Sequence, residues 1–118
     1  MNIKFKKEVK HYPKGTLILK PDVQGAKMWG VALQRTMLTY FEIDPNSRFD
    51  VHSHVSEQIT MVLEGELFFK VNERIICVKS GEVLAIPSSV PHAVFTKNSS
   101  AIAVDAWSPI MEKYKAST

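Results

Sequence analysis

The stretch that most constrains this chain is Asp50-Val51-His52-Ser53-His54-Val55-Ser56-Glu57-Gln58, with two histidines two residues apart and an amide four residues beyond the second. In an extended chain, side chains two residues apart leave the same face, about 6.6–6.8 Å from one another. Two imidazoles so placed can turn onto one ion, each nitrogen about 2.0–2.1 Å from a metal such as zinc. Gln58 shares their parity, so an extended chain offers its oxygen on the same side, whereas Glu57 points away. A further ligand has to come from elsewhere, and Ile86-Pro87-Ser88-Ser89-Val90-Pro91-His92 supplies a candidate in His92.

The rest of the chain is punctuated by turns at short intervals. Tyr12-Pro13-Lys14-Gly15, Lys20-Pro21-Asp22, Asp44-Pro45-Asn46-Ser47, Glu64-Gly65-Glu66, Asn72-Glu73, Lys79-Ser80-Gly81-Glu82 and Lys97-Asn98-Ser99-Ser100 all carry turn chemistry. Between them, runs rich in β-branched and aromatic residues predict strands over 3–8, 16–20, 29–33, 36–43, 58–63, 66–71, 74–78, 83–87, 93–96 and 101–107. Ser108-Pro109 offers a cap and a proline at the first helical position, which predicts a short terminal helix over 110–116. So many short strands must close on themselves or form two layers to protect their edges, which makes the expected class an all-β sandwich or barrel. The length, 118 residues, is that of one domain, 1–118.

Composition narrows the function classes. At 45% hydrophobic and 23% charged residues the chain is an ordinary globular sequence. No run approaches a membrane span, and the start carries Lys4, Lys6, Lys7 and Lys10 without the apolar core of a secretory signal. The expected compartment is therefore cytoplasmic, with no membrane partner. A single cysteine, Cys77, excludes an internal disulfide, and its place in Ile75-Ile76-Cys77-Val78 predicts a small buried hydrophobe. Seven of the twelve lysines fall in the first 27 residues, but no helix-turn-helix pattern or interleaved aromatics accompany them. They read as a solvated, edge-protecting strand, and no nucleic-acid partner is expected.

The two histidine blocks resemble the paired motifs of the cupin family. The first motif there runs His-x-His, three or four residues, Glu or Gln, then about six residues to Gly, and is matched here by His52, His54, Gln58 and Gly65. The second runs Gly, five residues, Pro-x-Gly, two residues, His, and is matched by Gly81, Pro87, Ser89 and His92. Ser89 departs from the family's Gly, Thr96 stands where Asn is usual, and Glu82 replaces the common Asp. The resemblance implies a single cupin jelly-roll β-barrel, a double-stranded β-helix with its core at about 36–107, and a metal at one mouth. It also implies a homodimer, with the lysine-rich N-terminal strand contributing. The implied ligands are His52, His54, Gln58 and His92, holding one divalent transition metal ion: nickel, zinc, manganese or iron. Many cupins carry Glu where Gln58 stands. A neutral amide leaves the ion its full charge, which favours Lewis-acid over redox chemistry.

Asp105-Ala106-Trp107-Ser108-Pro109 is the second informative stretch. On a strand, Asp105 and Trp107 share one face. A carboxylate on a buried face is costly unless paired or functional. The stretch resembles the Asp-x-Phe-Ser-Pro ending of small cupins of pectin breakdown, which linearise 4,5-unsaturated uronates with the aspartate as acid/base. The resemblance implies that Asp105 is the acid/base and that Trp107 packs the substrate pocket. The structural alternatives are a salt bridge from Asp105 to a lysine at the barrel mouth and a core role for Trp107. Tyr40, Phe95 and Met37 are further pocket candidates. The expected function is thus a metal-dependent enzyme acting on a small anionic, sugar-acid-like substrate, with the ion as its only cofactor. An iron-dependent cupin dioxygenase and a non-catalytic ligand-binding cupin are the rivals.

Overall fold

The computed structural model describes residues 7–115. Its strands are β1 (Lys20–Pro21), β2 (Ala26–Ala32), β3 (Met37–Ile43), β4 (Arg48–His52), β5 (Glu57–Glu64), β6 (Glu66–Val71), β7 (Arg74–Lys79), β8 (Val83–Ile86), β9 (His92–Phe95) and β10 (Ala101–Ser108), followed by α1 (Glu112–Lys115). They form two antiparallel sheets, β1-β2-β3-β10-β5-β8 and β4-β9-β6-β7. Alternation decides which half of each strand turns inward. Met37, Thr39, Phe41 and Ile43 of β3 are buried, as are Gln58, Thr60 and Val62 of β5 and Asp105 and Trp107 of β10. The two inner faces meet around Phe41, Val62, Leu67, Phe69, Val78 and Val94, closing a jelly-roll barrel.

Most expected strands differ from the observed ones by a residue or two at their ends, where fraying makes boundaries soft. Of the segment 16–20 only Lys20 enters a strand. Thr16 folds back instead, its amide 3.1 Å and its hydroxyl 2.7 Å from the Pro13 carbonyl. The strand expected over 3–8, and with it the lysine-rich strand, falls mainly outside the described residues, and Lys7 and Glu8 belong to no strand. Strand β4 lies outside the expected strands, although Arg48-Phe49-Asp50-Val51 alternates charged and apolar residues. The terminal helix covers Glu112–Lys115, starting two residues later than expected, and residue 116 of the expected span lies outside the described residues. Cys77 is half-buried on the outer face of its sheet, 3.5 Å from a Glu66 oxygen, because the parity of β7 turns Val78 inward. Among the described residues no helix is long and apolar enough to cross a membrane.

Two loops position the site. The β4–β9 ladder is irregular between Phe49 and His52, and this shift sets His52 directly opposite His92. Ser89 takes φ 64° and donates its amide to the His54 carbonyl at 2.8 Å, tying the two histidine-bearing segments together. A non-glycine residue in that left-handed region costs about 1–2 kcal/mol. The loop retains it at the one place where it joins the two blocks.

Candidate metal centre

Three imidazoles converge at one end of the barrel. The His52 and His92 ring centroids are 4.4 Å apart, and the His54 ring lies 5.6 Å from His52 and 5.0 Å from His92. The route to this cluster differs from simple strand parity. The chain bends at Val55 and Ser56, so His52 ends one sheet while Gln58 lies in the other. His54 sits in the connection, held where Ser56 donates its hydroxyl to the Pro109 carbonyl at 2.6 Å.

The hydrogen bonds choose the tautomers. Nδ1 of His52 lies 2.7 Å from the Asp50 carbonyl, Nδ1 of His54 2.8 Å from that of Ser56, and Nδ1 of His92 2.8 Å from that of Val90. A carbonyl oxygen only accepts, so each Nδ1 carries the proton and each neutral ring keeps its lone pair on Nε2. One ring nitrogen from each histidine lies within 4.8 Å of the others. His92 Nε2 is buried without a hydrogen-bond partner, which costs free energy unless something electropositive meets it. Burial, with His52 and His54 beside it, holds the His92 pKa below its ordinary value, against the opposing bond to Val90. Nε2 of His54 also lies 3.1 Å from Gln58 Oε1, which puts two acceptors face to face. Three fixed lone pairs, an orphaned nitrogen and an amide oxygen fit a divalent ion. Glu57 lies on the exposed side of β5, away from this group.

Beneath the histidines lies Asp105, only 6% exposed. Register places it between Thr39 of β3 and Thr60 of β5. Thr39 donates to Oδ2 at 3.2 Å, while Gln58 Nε2 at 3.3 Å and the Thr60 hydroxyl donate to Oδ1. Burial nevertheless dominates these donors and pushes the Asp105 pKa up to about 6. Among the described residues the partners of Asp105 are neutral, and none is the lysine of the alternative reading. Trp107 is buried beside it, its indole N–H donating to Thr39 Oγ1 at 2.8 Å and its ring 5.2 Å from that of His54.

His52, Gln58, His92, Asp105 and Trp107 line one cavity of about 40 Å³. The other pocket candidates lie elsewhere. Tyr40 is on the outer face of β3, stacked on Trp29 at 5.2 Å and bonded to Glu42. Phe95 stacks on Phe68 at 5.2 Å, away from the cavity. Met37 points inward but packs in the core rather than on the cavity wall. The parity of Tyr40 and Met37 is opposite on one strand, so they cannot share a face. Sequence reasoning missed Thr60, Phe41, Phe49 and Tyr114, all of which line the cavity. Thr39 and Thr60 do leave a signal, as polar residues at inward positions of otherwise apolar strands. Tyr114 leaves none: it arrives from the terminal helix, its ring 5.5 Å from Phe41 and 5.7 Å from Trp107.

The model of the cupin domain family matches residues 39–106. Over 64 residues, 51% of the chain, the sequence is 31% identical to the 3-hydroxyanthranilate 3,4-dioxygenase of Bos taurus, and the match spans 22% of that protein. An RmlC-like cupin from Shewanella frigidimarina NCIMB 400 superposes with a TM-score of 0.82 at 23% identity, over 90% of this chain and 96% of the other. KdgF from Halomonas sp. superposes with a TM-score of 0.75 at 17% identity, over 81% and 91%. At such identities the two structures speak for the fold alone.

Proposed function

The chain belongs to the cupin family, and from that premise we propose that it is a metal-dependent enzyme in which Asp105 moves a proton on a small anionic, sugar-acid-like substrate. The observation that carries this reading is a single cavity lined by two of the converging histidines, His52 and His92, and by the buried Asp105 carboxylate, whose donors are neutral. His52, His54, His92 and Gln58 Oε1 would hold a nickel, zinc, manganese or iron ion, which supplies Lewis-acid polarisation of a substrate oxygen.

The chain's own residues account for the remainder. Thr39, Thr60 and Gln58 fix the Asp105 carboxylate in one orientation. Its raised pKa keeps both protonation states accessible near neutrality, the condition for taking a proton and returning it. Trp107 is locked by its bond to Thr39 and serves as a rigid wall. No lysine or arginine lines the cavity, so the counter-charge for an anionic head group would have to come from an ion held by the histidine cluster. A water needs about 10–15 Å³ of such space. The cavity therefore accepts a head group, while the body of a sugar-sized ligand rests at the mouth near His52, the most exposed of the three histidines.

A second reading, an iron-dependent dioxygenase, is favoured by the 31% identity to the bovine enzyme over half of this chain. One experiment separates the two. The metal-loaded protein is offered 4,5-unsaturated uronates, whose conjugated absorbance disappears on linearisation, and in parallel the ferrous protein is assayed for oxygen uptake. The proposal expects loss of absorbance that Asp105→Asn abolishes while metal content stays unchanged. Turnover undiminished in Asp105→Asn removes the acid/base role, and oxygen uptake without absorbance loss moves the assignment to the dioxygenase.

A further inference from the structure

Every described residue that lines the cavity lies on a strand except one. Hydrogen-bonded ladders fix the backbones of the others, whereas Tyr114 comes from α1, a helix of four residues. Isolated helices shorter than about 12–15 residues are marginal in water, so the position of Tyr114 depends on what it binds. Its ring is only 7% exposed and meets Phe41 edge-on at 5.5 Å and Trp107 at 5.7 Å. Its hydroxyl shares a hydrogen bond with the carboxylate of Asp22, in the turn between β1 and β2. Burial foremost, then the Asp22 and Asp105 charges, holds the Tyr114 pKa above its ordinary value, so the phenol stays protonated and donates. Asp22 fastens the neighbouring residue as well. Its Oδ1 lies 3.9 Å from Lys113 Nζ, which is itself 5.2 Å from the Tyr114 ring centroid. The Asp22 side chain is 12% exposed, and its Oδ2 is buried without a hydrogen-bond partner among the described residues. Such burial costs free energy, and packing against Phe41 and Trp107 alone would be served by a phenylalanine. The polar anchor fixes where the ring stops.

We propose that Tyr114 is the specificity-determining wall of the cavity, held by Asp22 where it limits the size of the anionic head group that reaches the histidine cluster. The inference rests on the reading of this cavity as the site of an anionic substrate. A volume of about 40 Å³ has room for about three water-sized groups. That is enough for a carboxylate and the atom that bears it, and too little for a ring. The walls borne by strands cannot retreat without breaking strand pairing, so Tyr114 is the wall whose position is set independently of the sheets. Its position also bears on the chemistry. Trp107, in contact with Tyr114, donates to Thr39 Oγ1 at 2.8 Å, and Thr39 donates to Asp105 Oδ2 at 3.2 Å. One ring therefore limits the head group and backs the wall beside the Asp105 carboxylate.

The test is an NMR titration of the whole zinc-loaded chain. It follows the indole N–H of Trp107, which lines the cavity, with that of Trp29, stacked on Tyr40 outside it, as the control. The probes are acetate, whose carboxylate carries a methyl group, and benzoate, whose carboxylate carries a ring. In wild type, acetate is expected to shift the Trp107 signal saturably and benzoate to leave it in place. Pocket walls discriminate by about 10–200-fold, so Tyr114→Ala is expected to bind benzoate tighter by about that factor, with acetate affinity kept within about twofold. Tyr114→Phe, with the ring but without the anchor, is expected to fall between the two. Tyr114→Leu, which keeps apolar packing on Phe41 and Trp107, replaces the alanine variant if circular dichroism shows that one unfolded, and the same gain is expected of it. Benzoate bound equally by wild type and the variant, or excluded from both while acetate binds, overturns the role of Tyr114. Discrimination by Tyr114→Phe equal to that of wild type overturns the part assigned to Asp22. Acetate that shifts Trp107 in none of the chains overturns the anionic-substrate reading, and this inference with it.

Discussion

Replacing Asp105 by asparagine is expected to stabilise the metal-free protein at neutral pH. Burial lifts the Asp105 pKa from its ordinary 3.8 to about 6, despite bonds from Thr60, Thr39 and Gln58. The folded chain therefore binds this proton more tightly than the unfolded chain does. Between those two values the native state holds more proton than the unfolded state, so stability falls as pH rises through the window. Above it the full difference, about two pKa units at about 1.4 kcal/mol each, amounts to about 3 kcal/mol of destabilisation. Set against a typical net stability of about 5–15 kcal/mol, that is a large cost concentrated in one group. Asparagine has the same shape without the charge. Its carbonyl still accepts from Thr60 and Gln58, and its amide meets the Thr39 hydroxyl, which can turn to accept. The variant should thus gain about 2–3 kcal/mol over wild type at pH 7.5 and close to nothing at pH 4. Urea unfolding of chelator-treated protein at both pH values measures this, with equal slopes confirming two-state comparison. A variant less stable than wild type at pH 7.5, or one with the same gain at both pH values, would refute the assignment of Asp105 as a buried, strained carboxylate.

Two further outcomes follow from particular atoms. His92→Ala should lose bound metal, falling from about one ion per chain to almost none by elemental analysis, because it removes one of only three imidazole ligands. Added metal should then raise the unfolding midpoint of wild type and leave that of the variant in place, and an equal rise in both would place the ion elsewhere. Gly65→Ala should cost well over 2 kcal/mol, since the new carbon would lie 2.1 Å from the Ser100 carbonyl oxygen at φ 72°. Gly81→Ala, at φ 85° but in open space, should cost only about 1–2 kcal/mol. Equal losses in thermal melts would remove the steric argument for Gly65.

The donor set of the candidate centre was legible before folding. His52, His54 and His92 stand in a spacing that local chain geometry can use, and the alternation in β3, β5 and β10 marks which side chains share a face. Alternation does not say which of the two faces is the interior. That is why Tyr40, an aromatic at an outward position, and Met37, inward but within the core, could both be taken for pocket residues. Nor could extension along one strand account for Gln58. The chain turns between sheets at Val55 and Ser56, and Gln58 reaches His54 from the opposite wall of the barrel. The two threonines flanking Asp105 meet it only because β3 and β5 both pair with β10, and Tyr114 enters the cavity only because α1 folds back under Phe41. Residue order settles which atoms can bind, since ligand chemistry and strand period are local properties. Long-range pairing, such as that of His52 with His92, settles whether those atoms converge, because the free energy that brings them together comes from burial of the whole barrel core.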